Sequence, residues 1–150
     1  MLLLLSRDTG LAAALLEGTF PRPLRLHMVR PPAAALAFMT DHSPDGFVLD
    51  AAVDLADGAR HAPELAFRLR SRSVPLVMVT PVGRSARNFL ELCRSRNIAS
   101  DRCDDRSPTA LAAAVRAGIE RRRQRLRFAY VLSPLAGAGA AEGPQRTPSP

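Results

Sequence analysis

An α/β fold, a parallel sheet covered by helices on both faces, follows from three features of the sequence. Short apolar runs recur: Leu2–Leu5, Gly46–Leu49 and Pro75–Val79, each stopping at a polar residue, Ser6, Asp50 and Thr80. Near-continuous apolar runs rich in β-branched or large side chains are what strands buried on both faces require. An amphipathic segment joins the last two runs, with Leu65, Ala66 and Leu69 on one face and Arg68, Arg70 and Arg72 elsewhere. A β-α-β crossover sets both strand ends on one edge of the sheet, so Asp50 and Thr80 should look into one crevice.

Taken in order, the chain supports each element. Leu2–Leu5 reads as a buried strand. Asp8 or Thr9 caps a helix whose apolar face is Leu11, Leu15 and Leu16, with Gly18 as a stop. In Leu24–Val29 apolar Leu24, Leu26 and Met28 alternate with Arg25 and His27, the pattern of an edge strand, with His27 solvated. Pro31-Pro32 opens a second helix from Ala33 to Met39. After the third strand come Asp54, Asp57 and Gly58, read as loop and cap residues, and Pro63 fixes the start of the third helix near Ala62. Ser85 caps a fourth helix with Phe89, Leu92 and Cys93 inward, ending near Asn97. Ile98–Cys103 is a weak fifth strand with only two clear apolar positions. Ser107-Pro108 starts a last helix with Leu111, Val115 and Ile119 on one stripe, running into an Arg-rich end suited to the negative end of the helix dipole. Five strands alternating with five helices, the second strand at an edge, is the doubly wound, flavodoxin-like pattern with strand order 2-1-3-4-5.

Composition bounds the function. The 150 residues read as one domain over 1–130 and a flexible Pro/Gly/Ala/Ser-rich tail or linker over 131–150. All 21 basic residues are Arg, so Lys-dependent chemistry is excluded, and the net charge of +7 favours acidic partners or is simply an Arg-rich surface. With no Trp and one Tyr, base stacking on an aromatic platform is not available. Cys93 and Cys103 form no disulfide framework, and His27, His42 and His61 are scattered, so no metal-ligand spacing exists. No run is long enough to span a bilayer, and Leu2–Leu5 is too short for a signal peptide; the expected location is the cytoplasm, without membrane contact.

The stretch PDGFVLD followed by DLADG, then VPLVMVT and SPTALAAAVRAGIERRR, resembles the receiver domain of bacterial response regulators over about Leu2 to Arg123. The resemblance implies a phosphoacceptor position at Asp50 and a switch position at Thr80. It also implies two departures. The acidic pair that holds Mg²⁺ in the family is replaced by Ser6 and Arg7, with Asp8 just beyond, and the family's Lys after strand five has no counterpart in DRCDDRSP. Asp50 without metal or Lys would be a lone carboxylate in a partly buried crevice, which is costly, so Arg7 is expected within ion-pair reach of Asp50.

The resemblance therefore implies a degenerate receiver: a non-enzymatic signalling or adaptor module acting through protein contacts, with no cofactor and no metal site. The expected contact surface comprises Phe89, Leu90 and Leu92, which exceed one buried stripe, together with Arg121, Arg122 and Arg123. A homodimer, and a protein partner or downstream output domain, are the expected partners. Two alternatives stand beside this reading. In one, Asp50 is a working phosphoacceptor with Mg²⁺ held by Asp8 and Asp50. In the other, the Arg-rich last helix makes the chain a nucleic-acid-binding regulator.

Overall fold

Four consecutive leucines at Leu2–Leu5 leave no polar side for a strand, and all four are fully buried. The computed structural model describes residues 1–53, 61–79 and 84–137. Its elements are β1 (Leu2–Leu5), α1 (Thr9–Glu17), β2 (Leu26–Val29), α2 (Pro32–Asp41), β3 (Gly46–Asp50), α3 (His61–Ser71), β4 (Leu76–Val79), α4 (Arg84–Ser95), β5 (Ser100–Cys103) and α5 (Pro108–Gly137). The strands form one sheet in the order β2-β1-β3-β4-β5, and every neighbouring pair is parallel. This is the doubly wound, flavodoxin-like architecture that the sequence pattern predicts.

Alternation along the strands divides the core in two. Leu3, Leu5, Phe47, Leu49, Leu76 and Met78 face α2, α3 and α4 and pack with Met39, Leu65, Leu69 and Phe89. Leu2, Leu4, Val48, Val77 and Val79 face α1 and α5 and pack with Leu11, Leu15, Leu111 and Val115. Two glycines permit close approach. A Cβ at Gly46 would stand 2.9 Å from Leu2 Cδ2. One at Gly18 would stand 2.8 Å from Ala112 Cβ and 3.0 Å from the Pro108 carbonyl oxygen, where α1 ends against the first turn of α5. Gly18 has φ −63°, so contact with α5, and not a left-handed turn, is what demands glycine there.

Several boundaries differ from expectation. Leu16 is 57% exposed and lies off the buried stripe of α1. The exposed His27 on β2 stacks on Phe38, with ring centroids 4.2 Å apart, and Phe38 stacks in turn on His42 at 4.5 Å. Strand β5 is confined to four residues, and Ile98 is buried in the turn before it. The largest difference is α5, which continues to Gly137. Residues 120–132 contain neither Gly nor Pro and include five Arg with Glu, Gln and two Leu, good helix formers, so the Arg run is the middle of a helix and not its last turn. Positions 131–137, expected in the tail, are therefore helical. The expected loop residues Asp54, Asp57 and Gly58 and the switch position Thr80 lie outside the described residues.

Candidate functional site

Parallel strands bring their carboxyl ends to one edge, and the register of β1 and β3, Leu5 opposite Leu49, sets Ser6 beside Asp50. Both are buried: Asp50 is 2% exposed and Ser6 fully enclosed. The Ser6 hydroxyl donates to Asp50 Oδ2 at 2.6 Å and accepts from the Asp8 backbone N–H at 2.9 Å. Asp50 Oδ1 accepts from the Ala52 N–H at 3.1 Å. Asp8 caps α1, its Oδ1 accepting from the N–H groups of Gly10 at 2.8 Å and Leu11 at 3.3 Å.

One guanidinium closes this arrangement. Arg106, on the loop between β5 and α5, donates Nη1 to Asp8 Oδ2 at 2.8 Å and Nη2 to Asp50 Oδ1 at 3.0 Å. Its loop is itself anchored. Asp105 accepts from the Ser107 N–H at 2.8 Å and the Ser107 hydroxyl at 2.9 Å, and Ser107 caps α5 by accepting from the Ala110 N–H at 3.3 Å. The Cys103 thiol donates to the Asp105 carbonyl at 3.0 Å. The fork of Arg106 spans two carboxylates from different elements, a task suited to a planar, permanently charged group.

Arg7 does not hold this place. It is exposed, and the cation on Asp50 is Arg106. The reason is alternation: with Ser6 turned toward Asp50, the next side chain leaves the strand on the other side. Arg106 was legible only as a position, a cation between the end of the fifth strand and the Ser107-Pro108 helix start. Its reach back to β3 depends on the loop geometry set by Asp105.

The residues present do not fit Mg²⁺. A magnesium site needs one or two free carboxylates and room for several waters. Here Asp8 spends one oxygen on the α1 cap and the other on Arg106, while Asp50 is bound by Ser6, Ala52 and Arg106. The guanidinium stands between the two carboxylates a metal would have to bridge, and Ser6 offers a neutral hydroxyl in place of a charged ligand.

The expected contact residues are also redistributed. Phe89 and Leu90 are buried in the core under α4, and Leu92 is partly buried against it, so the extra apolar positions on that helix are absorbed by the protein itself. Arg121 pairs with Asp101 on β5. Arg122 donates to the carbonyls of Pro44 at 2.8 Å and Arg72 at 3.1 Å, tying α5 to the far edge of the sheet. Arg123 remains exposed, 3.8 Å from Glu120 on its own helix. Beyond it Leu126 and Phe128 are 50% and 69% exposed. Neither cysteine is poised for thiolate chemistry. Burial pushes the Cys93 thiol up to about 12, and burial likewise raises Cys103, against the opposing effect of its hydrogen bond to Asp105.

No family model and no curated protein matches this chain.

Proposed function

We propose that this protein is a non-enzymatic signalling or adaptor module, a degenerate receiver that works through protein contacts and not through Mg²⁺-dependent phosphoryl acceptance. The observation that carries this reading is the Asp8–Arg106–Asp50 bridge. Phosphoryl transfer to a carboxylate needs an accessible oxygen and cations positioned to neutralise the transferred group. At Asp50 the cation is built in and already committed, and both carboxylate oxygens have donors. An intramolecular ion pair that needs no ligand holds one conformation, which suits a constant docking module better than a switch. The exposed Leu126 and Phe128 on the part of α5 beyond the core support contact with a protein partner, an output domain or a second copy of the chain.

Titrating Mg²⁺ while following the amide resonances of residues 6–8, 50–52 and 106 tests this reading. The expected result is shifts no larger than those elsewhere on the surface. Saturable shifts confined to these residues at low-millimolar metal would overturn it.

A further inference from the structure

A second concentration of charge lies at the opposite edge of the sheet. Between the carboxyl ends of α3 and α4 and the middle of α5, a shallow concavity of about 50 Å³, open to solvent, is lined by Arg70, Arg122 and Arg125 and has no carboxylate among its lining residues. Like charges gathered around one concavity repel, and nothing nearby offsets them in full. Asp45, 3.8 Å from Arg122, and the two helix carboxyl ends, about half a negative charge each, together fall short of the three guanidinium groups. Arg122 is fixed by its bonds to the Pro44 and Arg72 carbonyls, and its buried Nε has no hydrogen-bond partner. Arg70 and Arg125 are exposed and have no carboxylate partner among the described residues.

The backbone supplies an independent observation. Ser73 and Asn97 have φ of 53° and 56°, the left-handed conformation that glycine adopts without penalty, Asn at little cost at a helix end, and Ser at a greater one. Each follows a helix whose end is closed by a pair of main-chain bonds, Ser73 N–H to Arg70 O at 3.0 Å and Val74 N–H to Leu69 O at 2.8 Å, then Asn97 N–H to Arg94 O and Ile98 N–H to Cys93 O, both at 3.0 Å, with the Ser71 and Ser95 hydroxyls donating to the Arg68 and Leu92 carbonyls. None of these bonds uses the side chain of Ser73 or Asn97. Yet a hydroxyl stands at one position and an amide at the other, and both line the concavity beside Arg70 and Arg125.

We propose that this cavity is a binding site for a small phosphate-bearing anion, gripped by Arg70 and Arg125, with Ser73 and Asn97 as neutral hydrogen-bond donors and Arg122 as a fixed background charge. Guanidinium forks match the oxygens of a phosphate group in pairs, and neutral donors beside them fix its orientation. Free phosphate and the phosphate of a larger metabolite share this chemistry.

Calorimetric titration of the full chain at constant ionic strength, with inorganic phosphate, pyrophosphate and adenosine monophosphate, tests the proposal. Saturable binding of one equivalent is expected for at least one of them. Comparable affinity for all three assigns the site to the phosphate group alone, and preference for the nucleotide assigns it to a phosphorylated metabolite. Replacing both arginines, Arg70→Gln with Arg125→Gln, should weaken binding by about tenfold or more, the loss expected for about one strong charge-assisted contact. Arg127→Gln, on the same helix outside the cavity, should change it less than about twofold. Ser73→Gly with Asn97→Gly removes the left-handed strain and the donors together, so it should raise the melting temperature while weakening binding. No saturable binding of any of the three, or equal weakening by Arg127→Gln, or full affinity in the double glycine variant, would overturn the proposal.

Discussion

Removing Arg106 should destabilise the protein through Asp50 above all. The guanidinium makes two charged hydrogen bonds, at 2.8 Å to Asp8 and 3.0 Å to Asp50. The Asp8 side chain is 41% exposed, and a pair of that kind contributes about 0.2–1 kcal/mol. Asp50 is buried, and a hydrogen bond to a buried charged group contributes about 1.5–3 kcal/mol. Because Arg106 itself is 39% exposed, solvent screening argues for the lower end, and Arg106→Ala should cost about 2 kcal/mol. Asp50→Asn keeps the shape: its Oδ1 can still accept from Ala52 and Arg106, and its amide can donate to Ser6, whose hydroxyl then turns. In that background Arg106→Ala should cost about 1 kcal/mol, the Asp8 share and a hydrogen bond to a neutral acceptor, leaving a coupling of about 1 kcal/mol. Urea unfolding of the four proteins, with m-values checked for constancy, measures this cycle. A cost for Arg106→Ala that is the same in both backgrounds to within about 0.5 kcal/mol would refute the bridge. Arg7→Ala serves as the control, and an exposed Arg outside the bridge should change stability by less than about 0.5 kcal/mol.

Two further outcomes follow from packing and burial. Gly18→Ala puts a Cβ 2.8 Å from Ala112 Cβ and 3.0 Å from the Pro108 carbonyl, so α1 or α5 must shift; a loss of about 1–3 kcal/mol is expected on urea unfolding, and an unchanged midpoint would contradict the contact. The Cys93 thiol is raised from 9.0 to about 12 by burial, so the folded state keeps its proton where the unfolded state releases it. Stability from this group is complete below pH 9 and falls from pH 9 toward 12, by at most about 1.4 kcal/mol per pH unit. No Lys titrates in this window, but the buried Cys103 thiol is raised too and adds to the fall, so Cys93→Ala should reduce the fall measured by thermal unfolding between pH 8.5 and 10.5, whereas an unchanged slope would exclude Cys93 as a source.

Strands buried on both faces announce themselves through runs such as Leu2–Leu5 and Gly46–Leu49, and alternation in Leu24–Val29 marked the edge, so the sheet order was legible from the sequence. The Asp8 cap was legible too, since a short acid before a helical stripe has one common task. What escaped was long-range. Arg106 is 56 residues from Asp50, and nothing in the spacing of DRCDDRSP states which of its two arginines turns inward. Beside Phe89, read as inward, Leu90 was expected at the surface because a single-stripe count allows too narrow a buried arc; it is 6% exposed. The length of α5 was hidden by charge: seven residues containing five arginines look like an end, although Arg propagates a helix well.

Whether Asp50 accepts a phosphoryl group is tested most directly by incubating the protein with acetyl phosphate and Mg²⁺ and measuring intact mass, with a receiver that retains the full acidic pair treated in parallel. In the reaction an Asp50 oxygen would attack phosphorus, a new O–P bond would form and acetate would leave. With Asp50 held by Ser6, Ala52 and Arg106, the account predicts an unchanged mass while the control protein gains a phosphoryl group. A phosphoryl adduct that disappears in Asp50→Asn would contradict it.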